Sequence, residues 1–386
     1  MTTNTLTNLI PALYASLDVV SRELVGLIPA VTLDARASAA AVGQSVYVDV
    51  APSANAAIDN TPAMSVPSEY DQTIGATAIT ISKSKSIPFS WNGEEERGLN
   101  SGPGASNVQN NQITQAMRAL VNEVEADLAA LYATTSRAAG TAATTPFATT
   151  LEGAMNARKI LLDNGANPQN LNLIVDTTAG AKLHTLYGVQ VGRGDVPINE
   201  QGILVRPSGM AIRESAQIVT PTAGAMASAT TTSAAFTVGQ TVLPLATAGT
   251  GVVAAGDVIT LANDTNQYVV TSVSFAGANP ASGDSITIAA PGLQKAQGAA
   301  TRAITVIATG PRNMAFASSA IVLAARLPSR PAAGDMAIDV MQITDPRSGL
   351  TFEVSVYPGF RKVVYHISLA WGVKNIKPEH TALLLG

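Results

Sequence analysis

The chain has no cysteine, so neither a disulfide framework nor thiolate chemistry is open to it. Charge is scarce: 13 % of its 386 residues are Asp, Glu, Lys or Arg, against about 25 % in an ordinary soluble protein. Ala, Thr, Gly and Ser take their place, and a surface so short of charge is expected to be largely covered. No basic cluster is longer than Arg361-Lys362 and the formal net charge is −4, which argues against a surface that neutralises many phosphates. No window approaches the ~20 apolar residues of a membrane span. Residues Met1 to Ile10 have neither the basic start nor the apolar run of an export signal. The expectation is a protein made and kept in the cytosol, with no membrane partner.

Catalytic patterns are missing as well. His184, His366 and His380 fall in a helix, on a strand face and in the C-terminal tail, without the pair spacing of metal ligands. There is no Gly-x-Ser-x-Gly elbow, no phosphate-binding loop and no dinucleotide fingerprint. The glycines and Arg-Gly-Asp triplet of Gly188–Asp195 follow a helix rather than opening one, so they read as a loop. Asn263-Asp264-Thr265 matches a glycosylation acceptor but reads as a plain turn. The expectation is no enzyme, no metal and no cofactor.

What is present is organised around one stretch. Ile113, Met117, Leu120, Val121, Val124, Leu128, Leu131 and Tyr132 keep the three-and-four spacing of a helix with one buried face. Ser106 with Gln109 three residues on forms a capping box, and Gly102, Pro103 and Gly104 bar an earlier start. A helix from about Asn107 to about Thr134 would be roughly 40 Å long. Glu123, Glu125 and Asp127 flank the stripe and read as a solvated face rather than as catalytic carboxylates.

Before this spine, apolar residues from Leu9 to Leu27 at helical spacing suit an amphipathic N-terminal arm or an ordinary core helix equally. Ser45–Val50 and Thr77–Trp91 read as two strands of a long hairpin whose tip holds Pro52, Pro62, Pro67 and Gly75. Ile79, Ile81, Ile87, Phe89 and Trp91 share one face of the second strand, and Lys83 and Lys85 interrupt it. Either the strand leaves the core there, with lysines protecting an edge, or the ammonium groups meet acidic partners elsewhere. With Glu69 and Asp71 of the tip, these lysines are the candidates for contacts between subunits.

After the spine and a small-residue linker at Gly140–Thr145, a helix ending at Asp163-Asn164-Gly165, a strand at Leu171–Val175 and a helix at Thr178–Tyr187 make an α/β unit. From Pro221 to Ala308 charge almost vanishes. Strand candidates recur at Thr241–Leu245, Asp257–Leu261, Gln267–Phe275, Asp284–Ala289 and Ala303–Ala308, the texture of a small inserted antiparallel barrel. Met336–Lys374 reads as a three-strand meander with one face in the core and one wet. The fold class is α+β, divided as arm 1–44, hairpin 45–92, spine 93–140, α/β unit 141–220, inserted barrel 221–308, and return, meander and tail 309–386.

Three stretches carry a family resemblance: Ala119-Leu-Val-Asn-Glu-Val-Glu125 in the spine; Asn313-Met-Ala-Phe-Ala317 with Ala320-Ile-Val-Leu-Ala-Ala-Arg326; and Ile367-Ser-Leu-Ala-Trp-Gly-Val373 followed by Lys377-Pro378. In their order and spacing the chain resembles the major capsid (coat) proteins of tailed bacteriophages, with the fold named after phage Hong Kong ninety-seven. More narrowly it is similar to the branch with an inserted barrel, typified by the Salmonella short-tailed phage coat protein, although its insertion is shorter and less charged than that branch implies. The resemblance implies that residues 45–91 are an extended loop over a neighbouring subunit, the α/β unit an axial domain, and spine plus meander a peripheral domain. It implies hexamers and pentamers of this chain closing into an icosahedral virion capsid in the host cytoplasm, with scaffolding and portal proteins, around double-stranded DNA held without sequence-specific binding. It implies no covalent crosslink. The competing readings are an encapsulin-type compartment of the same fold and, from another class, a Thr/Ala-rich surface adhesin, which would need an export signal and no spine helix.

Overall fold

The apolar stripe of the spine is buried from Ile113 to Leu128, and Leu131 and Tyr132 beyond it are half-buried. In the computed structural model, which describes residues 25–50, 75–99, 105–189, 209–331, 334–345 and 348–386, a short helix α1 (Gly93–Leu99) precedes the spine α2 (Ala105–Ala129), and Ala130–Thr134 prolongs it as 3-10 helix. Ile113, Met117, Leu120, Val121, Val124 and Leu128 all lie in the largest hydrophobic core. The helix starts one residue before Ser106, and the proposed capping side chains lie outside the described ones. Most of the expected N-terminal helix, residues 6–24, also lies outside the described residues.

Strands are numbered along the chain. One side of the spine packs on a six-stranded sheet of β1 (Thr32–Ala40), β14 (Ile321–Pro328), β17 (Lys362–Asn375), β16 (Thr351–Gly359) and β15 (Asp339–Thr344), in that order, with β4 (Lys83–Asn92) also paired to β17. β15, β16 and β17 are the expected meander. Its expected wet face is covered over half its length, however. Ile367, Leu369 and Trp371 face the main core, while Ala370 between them is buried against Ile79 and Ile81 in a small core behind the sheet.

The predicted strand Thr77–Trp91 is two strands in two sheets. β2 (Ser45–Val50) pairs antiparallel with β3 (Gly75–Thr80), Ser45 opposite Thr80, whereas β4 pairs with β17 from Lys83 opposite Trp371 to Asn92 opposite Lys362. The exchange takes one residue: Ile81 N–H donates to Gln44 O at 2.9 Å and Ser82 N–H to Trp371 O at 3.0 Å.

The second large sheet runs β12 (Ile304–Val306), β9 (Val258–Leu261), β10 (Gln267–Ser274), β5 (Arg137–Gly140), β18 (Thr381–Leu385), β13 (Arg312–Ala317), β6 (Leu171–Val175) and β7 (Met210–Glu214), with β11 (Ser285–Ile288) on β10 and β8 (Val242–Pro244) on β11. Helices α3 (Glu152–Asp163) and α4 (Thr177–Val189) contribute Ala154, Ala157, Leu161, Ala179 and Leu183 to the core on one face. The strands divide their side chains by the two-residue period. Met314, Phe316, Leu383 and Leu385 turn to the spine side, and Ala315, Ala317, Ala382 and Leu384 to the helices.

Two expectations change here. The C-terminal tail is not a tail: β18 lies between β5, parallel to it, and β13, antiparallel. Its run Thr-Ala-Leu-Leu-Leu is buried throughout, as suits a strand covered on both faces. The 221–308 segment has its own core, built around Phe236, Leu243, Ile259, Tyr268, Ile286 and Leu293, and strands at each of the five expected places. It is nevertheless bonded edge-on to the sheet, Gln267 opposite Ala138 and Tyr268 opposite Arg137, and Val258 and Val269 face the main core. Between β7, which ends at Glu214, and β13, which starts at Arg312, the chain adds β8 to β12 to this sheet beyond β5. The whole is a mixed α+β fold with few helices and much sheet.

Candidate functional site

Glu123 and Asp127 stand one helical turn apart and so share a face of the spine. Lys83 and Lys85 stand two residues apart and share a face of β4. Where strand crosses helix the two pairs meet. Lys83 Nζ lies 3.2 Å from Glu123 Oε1 and 2.8 Å from Asp127 Oδ1, and Lys85 pairs with Glu123. Asp127 Oδ2 accepts a hydrogen bond from Trp371 Nε1 at 2.8 Å, and Lys83 Nζ sits 5.9 Å from the centre of that indole, within cation–π range. The hydrogen bond to Asp127 leads the causes that hold the Lys83 ammonium above its ordinary range. Burial pushes the Glu123 carboxyl up, but Lys85 and Lys83 together bring it below its usual value.

These contacts remove the premise on which Lys83 and Lys85 were expected to seek acidic groups on an adjacent subunit, namely that the chain offers them none. The chain supplies both carboxylates itself. Glu69 and Asp71, the other contact candidates, lie outside the described residues.

The reading of Glu123, Glu125 and Asp127 as a solvated face is corrected most sharply at Glu125, which is 1 % exposed. Its Oε1 accepts from the backbone N–H of Gly26 at 2.8 Å and of Leu27 at 2.7 Å and from Ser215 Oγ at 2.9 Å; its Oε2 accepts from Ile28 N–H at 3.0 Å. One carboxylate thus ties the segment at Gly26–Ile28 and the end of β7 to the spine. Burial raises its pKa and outweighs the four hydrogen bonds, which favour the ionised form. Gly26 has to be glycine, because a Cβ there would lie 2.4 Å from the carbonyl oxygen of Glu214.

Among the described residues no three His, Asp or Glu side chains group as metal ligands, and no helix among them is long and apolar enough to cross a membrane. His184 Nε2 lies 3.6 Å from Glu214 Oε1. What the described residues do present is a set of exposed large apolar side chains. Phe360 at the β16–β17 turn is 92 % exposed, Met336 beside β15 is 79 % exposed, and Tyr47 on β2 is 67 % exposed.

No family model and no curated protein matches this chain. Solved structures do. The capsid of cyanophage P-SCSP1u is 13 % identical with a TM-score of 0.45, over 92 % of this chain and 86 % of that one. A virus-like particle from Pyrococcus furiosus is 13 % identical with a TM-score of 0.43, over 98 % and 100 %. A protein of Mycobacterium phage Che8 is 12 % identical with a TM-score of 0.42, over 89 % and 84 %.

Proposed function

We propose that this chain is the major capsid protein of a tailed bacteriophage, self-assembling into an icosahedral shell around the phage genome. The observation that carries the reading is the exposure of large apolar side chains, with Phe360, Met336 and Tyr47 the most exposed among the described residues. In this reading, further copies of the chain cover these side chains in the shell. The low charged fraction supports the same conclusion, since a surface meant for water carries more charge.

In this reading the spine with the six-stranded sheet is the peripheral domain and the ten-stranded sheet with α3 and α4 the axial domain. The 221–308 segment is an inserted domain, as in the branch named above. Partners are further copies of the chain in rings that close, scaffolding and portal proteins, and double-stranded DNA enclosed without sequence reading. Co-expression with a scaffolding protein, followed by size-exclusion chromatography and electron microscopy, should give closed shells. Monomers alone under those conditions would overturn the reading. Shells purified from infected cells should absorb chiefly at 260 nm; a protein-like spectrum with protein cargo would favour the encapsulin-type compartment.

A further inference from the structure

The dipeptide Asn-Gly occurs twice in the chain, at Asn92-Gly93 and at Asn164-Gly165. It is the pairing most prone to spontaneous loss of the asparagine amide, because glycine puts no side chain in the way when its own nitrogen attacks the preceding Cγ. Both asparagines are half-buried and both glycines exposed, so access to water does not separate the two sites. What separates them is how firmly each is held.

Asn164 is tied at both ends of its amide. Its Oδ1 accepts from Arg137 Nη2 at 3.0 Å, and its Nδ2 donates to Glu379 O at 2.7 Å and to Ser136 Oγ at 3.4 Å. The attacking nitrogen is engaged as well, Gly165 N–H donating to Leu162 O at 3.0 Å. Arg137 is itself buried and bonded to Asn266 Oδ1 at 3.3 Å, so freeing Asn164 disturbs contacts that reach into the sheet and the 221–308 segment.

Asn92 ends β4 and is tied at one end only. Its Oδ1 accepts from Glu94 N–H at 3.0 Å and Glu95 N–H at 2.7 Å, whereas Nδ2, the group that has to leave, has no hydrogen-bond partner among the described residues. Gly93 N–H reaches Arg361 O only at 3.4 Å, beyond the usual span of such a bond, and a Cβ on Gly93 would meet nothing within 4 Å. These partners lie in α1, seven residues long with Glu94, Glu95 and Arg97 exposed, and in the β16–β17 turn. A short, open element of this kind comes apart locally at little cost.

We propose that Asn92 is a site of spontaneous covalent modification, converting to aspartate or isoaspartate in the folded protein while Asn164 is preserved. The Gly93 nitrogen bonds to Asn92 Cγ and the Cγ–Nδ2 bond breaks. The amide departs as ammonia, taking up the proton that Gly93 gives off, and a five-membered imide remains. Water then opens the imide. Cleavage of the new N–Cγ bond leaves aspartate; cleavage of the original bond between Gly93 N and the Asn92 carbonyl carbon leaves isoaspartate. In either case water supplies a hydroxyl to carbon and a proton to nitrogen. Aspartate suits the position, since its carboxylate keeps the two N–H groups at the start of α1 and stands in register with Lys362. Isoaspartate instead inserts an extra backbone carbon between β4 and α1.

The test ages the full, unassembled chain, so failure to form shells, which bears on the proposed function, leaves it readable. Ageing at pH 8 in water enriched in heavy oxygen marks each carboxyl formed, and peptide mapping reads residues 92 and 164. Label should enter at residue 92 about tenfold faster than at residue 164. In urea, where neither site is tied, the two rates should draw level. Gly93→Ala, whose added methyl group has open space in the fold, should bring residue 92 down to the rate of residue 164 or below. Label entering residue 164 as fast as residue 92 in the folded chain, or a gap that persists in urea, would overturn the proposal.

Discussion

At the scale of single residues, Glu125 is where the structure departs furthest from a surface reading of the spine, and its position carried a signal. It lies four residues after Val121 and three before Leu128, both in the buried stripe, so a helical projection places it at the stripe's edge rather than on the open face. The sequence offers no sign of what it binds, because backbone N–H groups of Gly26, Leu27 and Ile28, about a hundred positions away, leave no pattern in side-chain types. Glu125→Gln keeps the shape but puts an amide donor against N–H donors, and it should cost roughly 1–3 kcal/mol in urea unfolding. The cost should depend on pH. Since burial raises the folded-state pKa, the folded chain binds this proton before the unfolded chain does. The Glu125 contribution is then fully present below the unfolded value of about 4.3 and is lost as pH rises through the raised folded value. Glu123 has the opposite sign, its lowered pKa giving stability that persists to neutral pH and is lost as pH falls through the folded value. The advantage of the native chain over Glu125→Gln should accordingly be larger at pH 4.5 than at pH 8; an advantage constant across that range would show that the Glu125 carboxyl does not titrate there.

Between elements, the crossing of β4 on the spine makes its own prediction. The lysine side chains are 34 % and 49 % exposed, so solvent screens their pairs with the spine carboxylates and each is worth at most about 1 kcal/mol. Reversing both, Lys83→Glu with Lys85→Glu, also sets four carboxyl groups in one place. The monomer should melt at a lower temperature by circular dichroism, and added salt should narrow the gap. A melt identical to the native chain's would strip these pairs of weight and restore the expectation of a partner on an adjacent subunit. The spine, α3, α4, β6 and the five strands of the insertion were legible because each has a clean local period or is bounded by Gly, Asn or Pro. β1 was not, since its sequence Thr-Leu-Asp-Ala-Arg-Ala-Ser-Ala-Ala lacks the apolar density of a strand; it is held by parallel pairing to β14, from Thr32 opposite Val322. The division of Thr77–Trp91 was hidden for a similar reason: alternation continues through the break while the pairing partner changes.

For the molecule as a whole, the 221–308 segment poses the clearest test. Residues 221–308 enclose a core of their own, about ninety residues being enough for one, yet β10 also completes a sheet with β5. Expressed alone, the segment should unfold cooperatively but below the temperature of the full chain, having lost the β5 pairing and exposed Val258 and Val269. A flat thermal profile would mean that the seam is part of its fold. The central placement of β18 bears on timing rather than on strength. It is the last strand of the ten-stranded sheet in chain order, and the slot it fills lies between β5 and β13, whose sequences precede it by about 240 and 65 positions. During translation every other strand of that sheet is synthesised before this one. Until residues 381–385 clear the ribosome, the nascent chain carries two facing edges with unsatisfied N–H and C=O groups, and the same slot on a second nascent chain of one polysome is a competing host for the strand that comes late.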